Sequence, residues 1–161
     1  MTESSPNIIL MFRSRERLLA VPLENVIEVV PAFELLQTPG LAPNLAGMIS
    51  LRGEVLPVID TAVLIGDDRT ILKPQHKFIV LHTSRQSIAL LVDTVEDLVD
   101  VEESRSNETL IENGHSCFKG VVTVEDEMVL ILDVEICSQF DQRDHLIELD
   151  DETINLEGII S

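Results

Sequence analysis

Residues 47–64 read GMISLRGEVLPVIDTAVL, and residues 120–137 read GVVTVEDEMVLILDVEIC. Aligned without a gap, the two stretches place Asp60 opposite Asp133 and bring their main apolar positions into coincidence. Each stretch has two apolar runs on either side of a short polar turn, a pattern that is typical of a β-hairpin. The chain is therefore predicted to contain the same hairpin twice.

A second repeated block lies upstream of each hairpin. Residues 19–30, LAVPLENVIEVV, match residues 88–99, IALLVDTVEDLV, at an offset of 69 residues, whereas the hairpins are offset by 73. Two blocks in the same order predict a tandem duplication, with repeat units at about residues 8–66 and 77–137. A five-stranded unit of about 60 residues is marginally stable alone. We therefore expect the two copies to pack on one another around a pseudo-twofold axis.

The spacing of the apolar runs indicates an all-β fold. Runs rich in Val, Ile and Leu are interrupted by Gly, Pro, Asn or Asp about every 8–12 residues, as in barrels and sandwiches. Short helical turns are expected at residues 61–65 and 134–140. The predicted strands are residues 8–12, 17–23, 26–32, 46–51, 55–60, 77–82, 87–92, 95–101, 118–124 and 128–133.

The composition excludes several classes of function. The chain has 161 residues, a formal net charge of -18, five Phe and neither Trp nor Tyr. Such an acidic chain is poorly suited to nucleic acid or to an anionic membrane surface, because both attract cations. The longest apolar runs have five residues, whereas a membrane span needs about 20. We predict a soluble, cytoplasmic protein with no nucleic-acid partner and no direct membrane insertion.

The negative charge is concentrated in the second half of the chain. Residues 1–80 carry nine acidic and seven basic side chains, for a net charge of -2, and residues 81–161 carry twenty and four, for a net charge of -16. Residues 141–161 contain seven acidic side chains and one Arg. We expect a folded domain over residues 1–140 and an acidic C-terminal tail over residues 141–161.

Little in the sequence points to catalysis. Asp60 and Asp93 each follow an apolar run and precede Thr, so a proton-sharing pair like that of aspartic hydrolases is a remote alternative. The repeat argues against it, because Asp60 corresponds to Asp133 and Asp93 to Glu24. Strand-end carboxylates that accept backbone N–H bonds are the simpler interpretation. The four His show no ligand spacing and there is no CxxC motif, so no metal or cofactor is expected.

A small basic cluster follows the first predicted strand. Arg13, Arg15 and Arg17 alternate along the chain there. One interpretation is a solvated turn at a sheet edge, and the other is docking to an acidic partner or to the protein's own acidic tail.

The duplicated hairpin also carries a family resemblance. Residues 47–60 resemble the central signature of the CheW family of chemotaxis coupling proteins, with Ser50 in place of the usual Asn. Residues 20–30, 88–95 and 118–133 resemble three further blocks of that family, in the same order. The resemblance spans the chain from the first predicted strand to the second helical turn.

This resemblance implies a fold and a function. It implies two intertwined, five-stranded SH3-like barrels and a scaffold that is not an enzyme. Such a scaffold would couple the cytoplasmic signalling tip of a methyl-accepting chemoreceptor to the regulatory domain of a CheA-type histidine kinase, a domain that is itself similar to CheW. An adaptor of a type IV pilus or another non-flagellar chemosensory pathway is the alternative within the same fold.

The resemblance also implies a partner-binding site. Val26, Glu28 and Arg52 match positions that the family uses on its receptor-facing surface, and Leu51 and Gly53 form the turn that presents Arg52. The same resemblance implies no catalytic residue and no metal ligand.

Overall fold

Two β-sheets hold nearly all of the regular structure. The computed structural model describes residues 7–37, 39–101, 109–110 and 117–139. The strands are β1 (Ile8–Ser14), β2 (Arg17–Pro22), β3 (Val26–Pro31), β4 (Leu45–Leu51), β5 (Glu54–Asp60), β6 (Lys77–His82), β7 (Ser87–Val92), β8 (Thr94–Asp100), β9 (Thr109–Leu110), β10 (Phe118–Val124) and β11 (Glu127–Leu132). Short helices α1 (Thr61–Leu64) and α2 (Val134–Cys137) follow the two hairpins. All ten predicted strands are present, and β9 is an addition; the predicted acidic tail lies outside the described residues.

Each sheet is built from strands of both repeat copies. The first sheet has the order β8-β1-β2-β11-β10-β9, and the second has the order β3-β6-β7-β5-β4. The first copy supplies β1 to β5, so it gives two strands to the first sheet and three to the second. The second copy supplies β8, β9, β10 and β11 to the first sheet and β6 and β7 to the second. The intertwined, duplicated all-β architecture is therefore confirmed.

The strand registers follow the sequence duplication residue by residue. In the parallel pair of β5 with β7, Val58 lies opposite Ala89. Adding 73 to position 58 and subtracting 69 from position 89 gives Ile131 opposite Ala20. That is the register observed in the parallel pair of β11 with β2. Register shifts also recur at equivalent places in the hairpins β4–β5 and β10–β11. The pseudo-twofold relation therefore extends to the backbone hydrogen bonds.

The additional strand β9 has a counterpart in the first copy. Leu36 forms an isolated antiparallel bridge with Met48 of β4, with N–O distances of 2.8 and 2.9 Å. Adding 73 to both positions gives Thr109 opposite Val121, the pairing of β9 with β10. A two-residue element has too few positions to show a hydrophobic period, which is why the sequence pattern did not predict it.

Three hydrophobic cores hold the molecule together. One lies inside each sheet's barrel, and a third is shared between the two barrels. Strand β7 contributes to two of them. Ile88, Leu90 and Val92 face the shared core, while Ala89 and Leu91 face the interior of the second barrel. Because both faces of β7 are buried, its sequence is continuously apolar rather than alternating.

The two hairpins turn through backbone conformations that favour glycine. In the first turn Arg52 has a φ of 51° and Gly53 a φ of 82°, as in a type I′ turn. The second turn uses Glu125, with a φ of 49°, and Asp126, with a φ of 69°. The second hairpin therefore holds two non-glycine residues in the left-handed region, where a Cβ atom is disfavoured.

The shared core makes a testable prediction about cooperativity. We expect Leu90→Ala, at a fully buried position of β7, to destabilise the protein by about 2–5 kcal/mol through the lost contacts and the cavity left behind. Because the barrels exchange strands, unfolding in urea should remain one transition by both circular dichroism and fluorescence of an introduced probe. Ile71→Ala, at an exposed loop position, should change stability by about 0.5 kcal/mol or less. Two separated transitions would contradict this view of the core.

The turns make a second, paired prediction. Asp126→Gly should stabilise the protein by about 0.5–1 kcal/mol, and Gly53→Asp should destabilise it by a similar amount, because only glycine adopts positive φ without a steric cost. Urea midpoints for both variants provide the test. A change of the same sign at both positions would show that the turn conformations differ from those described.

Candidate partner-binding surface

An ion pair connects the first hairpin turn to strand β3. The Arg52 guanidinium donates from Nη2 to Oε1 of Glu28 at 2.8 Å and from Nη1 to the other carboxylate oxygen. The contact is bidentate, a geometry that only arginine provides among the basic side chains. Strands β3 and β4 stand at the two ends of the second sheet's order, so the pair brings the hairpin of one end onto the strand of the other. The structure thus joins two of the predicted site residues.

This pair is accessible to solvent. The side chain of Arg52 is 68% exposed and that of Glu28 is 23% exposed. The hydrogen bonds from Arg52 lower the pKa of Glu28 below the usual range of a glutamate, and those bonds raise the pKa of Arg52 in turn. Glu28 is therefore ionised at neutral pH and across mildly acidic conditions. Salt screens an exposed pair of this kind, so its role in stability is small.

The other predicted site residues hold the backbone that carries the ion pair. Val26 is half-buried and packs against the shared core, and Leu51 packs against the interior of the second barrel. Gly53 provides the positive φ that lets the two-residue turn close. Val26, Leu51 and Gly53 thus position the surface more than they form it.

Exposed apolar side chains lie close along the chain to the two residues of the ion pair. Ile27 and Val29 on β3 are exposed, and Val55 at the start of β5 is 61% exposed. Apolar side chains left exposed on a terminal strand of a sheet are typical of a binding surface. The sequence did not mark these three residues as exposed, because Val and Ile are typical of strand positions on buried and open faces alike.

The barrel of the first sheet presents apolar residues at the corresponding positions. Leu98 on β8 is exposed, and Met128 at the start of β11 is 70% exposed. By the repeat offsets, Leu98 corresponds to Val29 and Met128 corresponds to Val55. The duplication has therefore preserved a pair of exposed apolar positions on each barrel.

Charge distinguishes the two surfaces. Glu125 occupies the turn position that corresponds to Arg52. On this barrel the basic partner is Arg13 of β1, which donates from Nε to Glu96 at 3.0 Å and from Nη2 to Glu127 at 3.1 Å. Arg13 thus links the flanking strands β8 and β11. Its guanidinium is thus paired with carboxylates of the protein itself.

The two carboxylates of the hydrolase alternative have separate partners. Buried Asp60 accepts hydrogen bonds from the backbone N–H of Thr70 at 2.8 Å and of Ala62 at 3.1 Å, where it caps α1. Asp93 accepts one from the backbone N–H of Arg15 at 2.9 Å. No hydrogen bond joins the two carboxylates in the part of the chain that the structure describes. This geometry favours strand-end turn carboxylates over a proton-sharing dyad.

Comparison with known proteins now assigns the chain to a family. The sequence model of the CheW-like domain matches residues 9–139. The chain belongs to the CheW family. Chemotaxis adaptors of this family are scaffold proteins rather than catalysts. Within the described residues, no helix is long and apolar enough to cross a membrane.

Individual CheW-like relatives agree with this assignment. The chain is 26% identical over 133 residues to the probable chemotaxis protein CheW of Rhizobium etli, covering 79% of this chain and 84% of that protein. It is 33% identical over 84 residues to the protein FrzA of Myxococcus xanthus, covering 52% of each. The crystal structure of the scaffolding protein TtCheW from Thermoanaerobacter tengcongensis superposes with a TM-score of 0.70 at 23% identity, covering 83% of this chain and 88% of that one. The structural match confirms the fold.

The ion pair leads to a prediction about the acid titration of Glu28. Arg52→Ala should raise the pKa of Glu28 toward the value of a free glutamate, because the hydrogen bonds that favour the carboxylate are lost. In the wild type, the stabilisation from Glu28 should be present above the pKa of an unfolded glutamate and should disappear as the pH falls through the lower, folded value. Carboxyl carbon shifts of Glu28, followed by NMR from neutral to acidic pH, provide the measurement.

The matched control for this titration is Arg13→Ala, which removes an equivalent number of charges from the other barrel. It should leave the pKa of Glu28 unchanged. An unchanged pKa in Arg52→Ala would show that the pair is not formed in solution.

Proposed function

We propose that this chain is a non-catalytic adaptor that couples chemoreceptor signalling tips to a CheA-type histidine kinase. The observation that carries the proposal is the exposed Arg52–Glu28 pair, held by elements that also carry exposed apolar residues. A bidentate charge pair next to apolar surface combines the two features that protein interfaces use, burial for affinity and charges for register. Positions 26, 28 and 52 are also those at which the family resemblance implies receptor contact.

We propose that the receptor tip docks on the Arg52 surface. The exposed Arg52–Glu28 pair forms this surface, and Val26, Leu51 and Gly53 position it. Covering it would bury the exposed side chains of β3 and β5 and would partly dehydrate the ion pair, which strengthens a charged hydrogen bond. The paired Glu28 holds the guanidinium in one orientation before binding, so less conformational entropy is lost on association.

The kinase contact needs a different surface if receptor and kinase are to be bound at once. The barrels offer one, because the pseudo-twofold relation places Leu98 and Met128 on the opposite barrel. We infer that the regulatory domain of the kinase, a CheW-like fold itself, pairs barrel to barrel with the adaptor. The shared core between the barrels then keeps both contacts in a fixed relative geometry, which is all that coupling requires of a scaffold.

A second candidate is an adaptor of a non-flagellar chemosensory pathway, such as one that serves a type IV pilus. The similarity to FrzA fits this alternative. Both candidates share the fold and the non-catalytic role, and they differ in the receptor and the motility output served. Titration of the chain against the regulatory domain of each CheA-type kinase of the source cell separates them by the affinity found.

Reversal of charge at Arg52 tests the receptor surface. We expect Arg52→Glu to weaken binding of the receptor signalling tip at least about 10-fold, since a like-charge contact with Glu28 replaces the bidentate pair, and to leave binding of the kinase regulatory domain unchanged. Surface plasmon resonance with the two partners immobilised separately measures both affinities. Circular dichroism verifies that the variant is folded.

The duplication supplies a matched control for this experiment. Glu125→Arg reverses the charge at the equivalent turn position of the other hairpin, with the same backbone conformation. It should leave receptor binding unchanged. Wild-type receptor affinity of Arg52→Glu, or equal losses in the two variants, would refute the assignment of the receptor surface.

A further inference from the structure

Two thiols meet inside the shared core. Cys117 precedes β10 and Cys137 ends α2, and both are free cysteines within the same hydrophobic cluster. The Cys137 thiol donates to the backbone carbonyl oxygen of Cys117 at 3.9 Å. Nothing in the adaptor role uses this pair.

The backbone holds the two cysteines in fixed positions relative to each other. The N–H of Asp133 donates to the carbonyl of Cys117 at 2.7 Å, and the N–H of Cys137 donates to the carbonyl of Asp133 at 2.9 Å. One residue therefore connects both cysteine backbones through two short bonds. The pair is confined to the second copy, because Asn44 and Leu64 stand at the corresponding positions of the first.

The two thiols differ in access and in acidity. Cys117 is 8% exposed, whereas Cys137 is 1% exposed. The hydrogen bond from the Cys137 thiol lowers the pKa of Cys117, and the same hydrogen bond together with burial raises the pKa of Cys137. Of the two, Cys117 is the more exposed and the more acidic thiol, so a small oxidant is expected to react there first.

We propose that Cys117 and Cys137 form a reversible intramolecular disulfide when the protein meets hydrogen peroxide. The Cys117 thiolate attacks one peroxide oxygen, the O–O bond breaks, and the departing hydroxide takes a proton to become water, leaving a sulfenic acid on Cys117. The sulfur of Cys137 then attacks the Cys117 sulfur and the S–O bond breaks. The thiol proton of Cys137 leaves with the hydroxyl group as a second water. Two electrons pass from the dithiol to the peroxide, and a dithiol reductant restores both thiols.

The disulfide would link two residues of the second copy inside the shared core. It closes a loop from residue 117 to residue 137 that contains the whole hairpin β10–β11 and α2. Closing a loop of this length restricts the unfolded chain, so we expect the melting temperature to rise by roughly 5–10 °C on oxidation. The modification would act on the element that holds the two barrels together.

Oxidation of the full chain tests the proposal directly. The folded protein is treated with a small molar excess of hydrogen peroxide, quenched with catalase and alkylated. Intact mass should fall by the mass of two hydrogen atoms, peptide mapping should show a Cys117–Cys137 bridge in a monomer, and dithiothreitol should reverse both the mass change and the shift in melting temperature. These measurements use the wild-type chain and do not depend on the folding of any variant.

Two variants separate the roles of the thiols. In Cys137→Ala, Cys117 should accumulate as a sulfenic acid that reacts with dimedone. In Cys117→Ala, the remaining buried thiol should oxidise at least about 10-fold more slowly, because it is neither acidic nor accessible. Retention of both thiols in the folded wild type, disulfide-linked dimers in place of the internal bridge, or equal oxidation rates in the two variants would overturn the proposal.

Discussion

Every other feature of this molecule depends on the exchange of strands between its two repeat copies. Strand β7 pairs in parallel with β5, and β2 pairs in parallel with β11, so each sheet is completed across the copy boundary. The strands that cross are buried on both faces, one toward a barrel interior and one toward the shared core. Neither copy can bury its apolar strands without the other, so duplication and stability are one property here.

This exchange also explains how a scaffold of this family can carry a signal. A scaffold transmits geometry, and geometry is preserved only if its two contact surfaces cannot move independently. Fully buried side chains such as Phe12 and Leu90 fill the space between the barrels, and close-packed interiors resist deformation. Surfaces on opposite barrels are consequently fixed relative to each other by the densest part of the protein.

The sequence predicted the strands and their duplication well, because burial on two faces leaves long apolar runs that the polar turns interrupt cleanly. It did not predict β9, whose two residues are too short to show a period. It also identified Glu28 and Arg52 only through a family resemblance, since 24 residues separate them along the chain. The exposure of Ile27 and Val29 was missed for a physical reason: a strand at the end of a sheet can carry Val and Ile on its outer face, and the same residue types fill buried strand positions.

The divergence of the two copies shows where selection on a duplicated scaffold can act. The parallel registers that join the copies are shared, because altering them would disturb the strand exchange, and the exposed positions of Val29 and Leu98 are shared as well. The turn residues are free of that constraint, and there the copies carry opposite charges, Arg52 on one barrel and Glu125 on the other. Opposite charges at equivalent positions disfavour binding of one and the same partner to both tips. A symmetric fold thereby becomes an asymmetric connector through its hairpin tips, while its interior remains a duplicate.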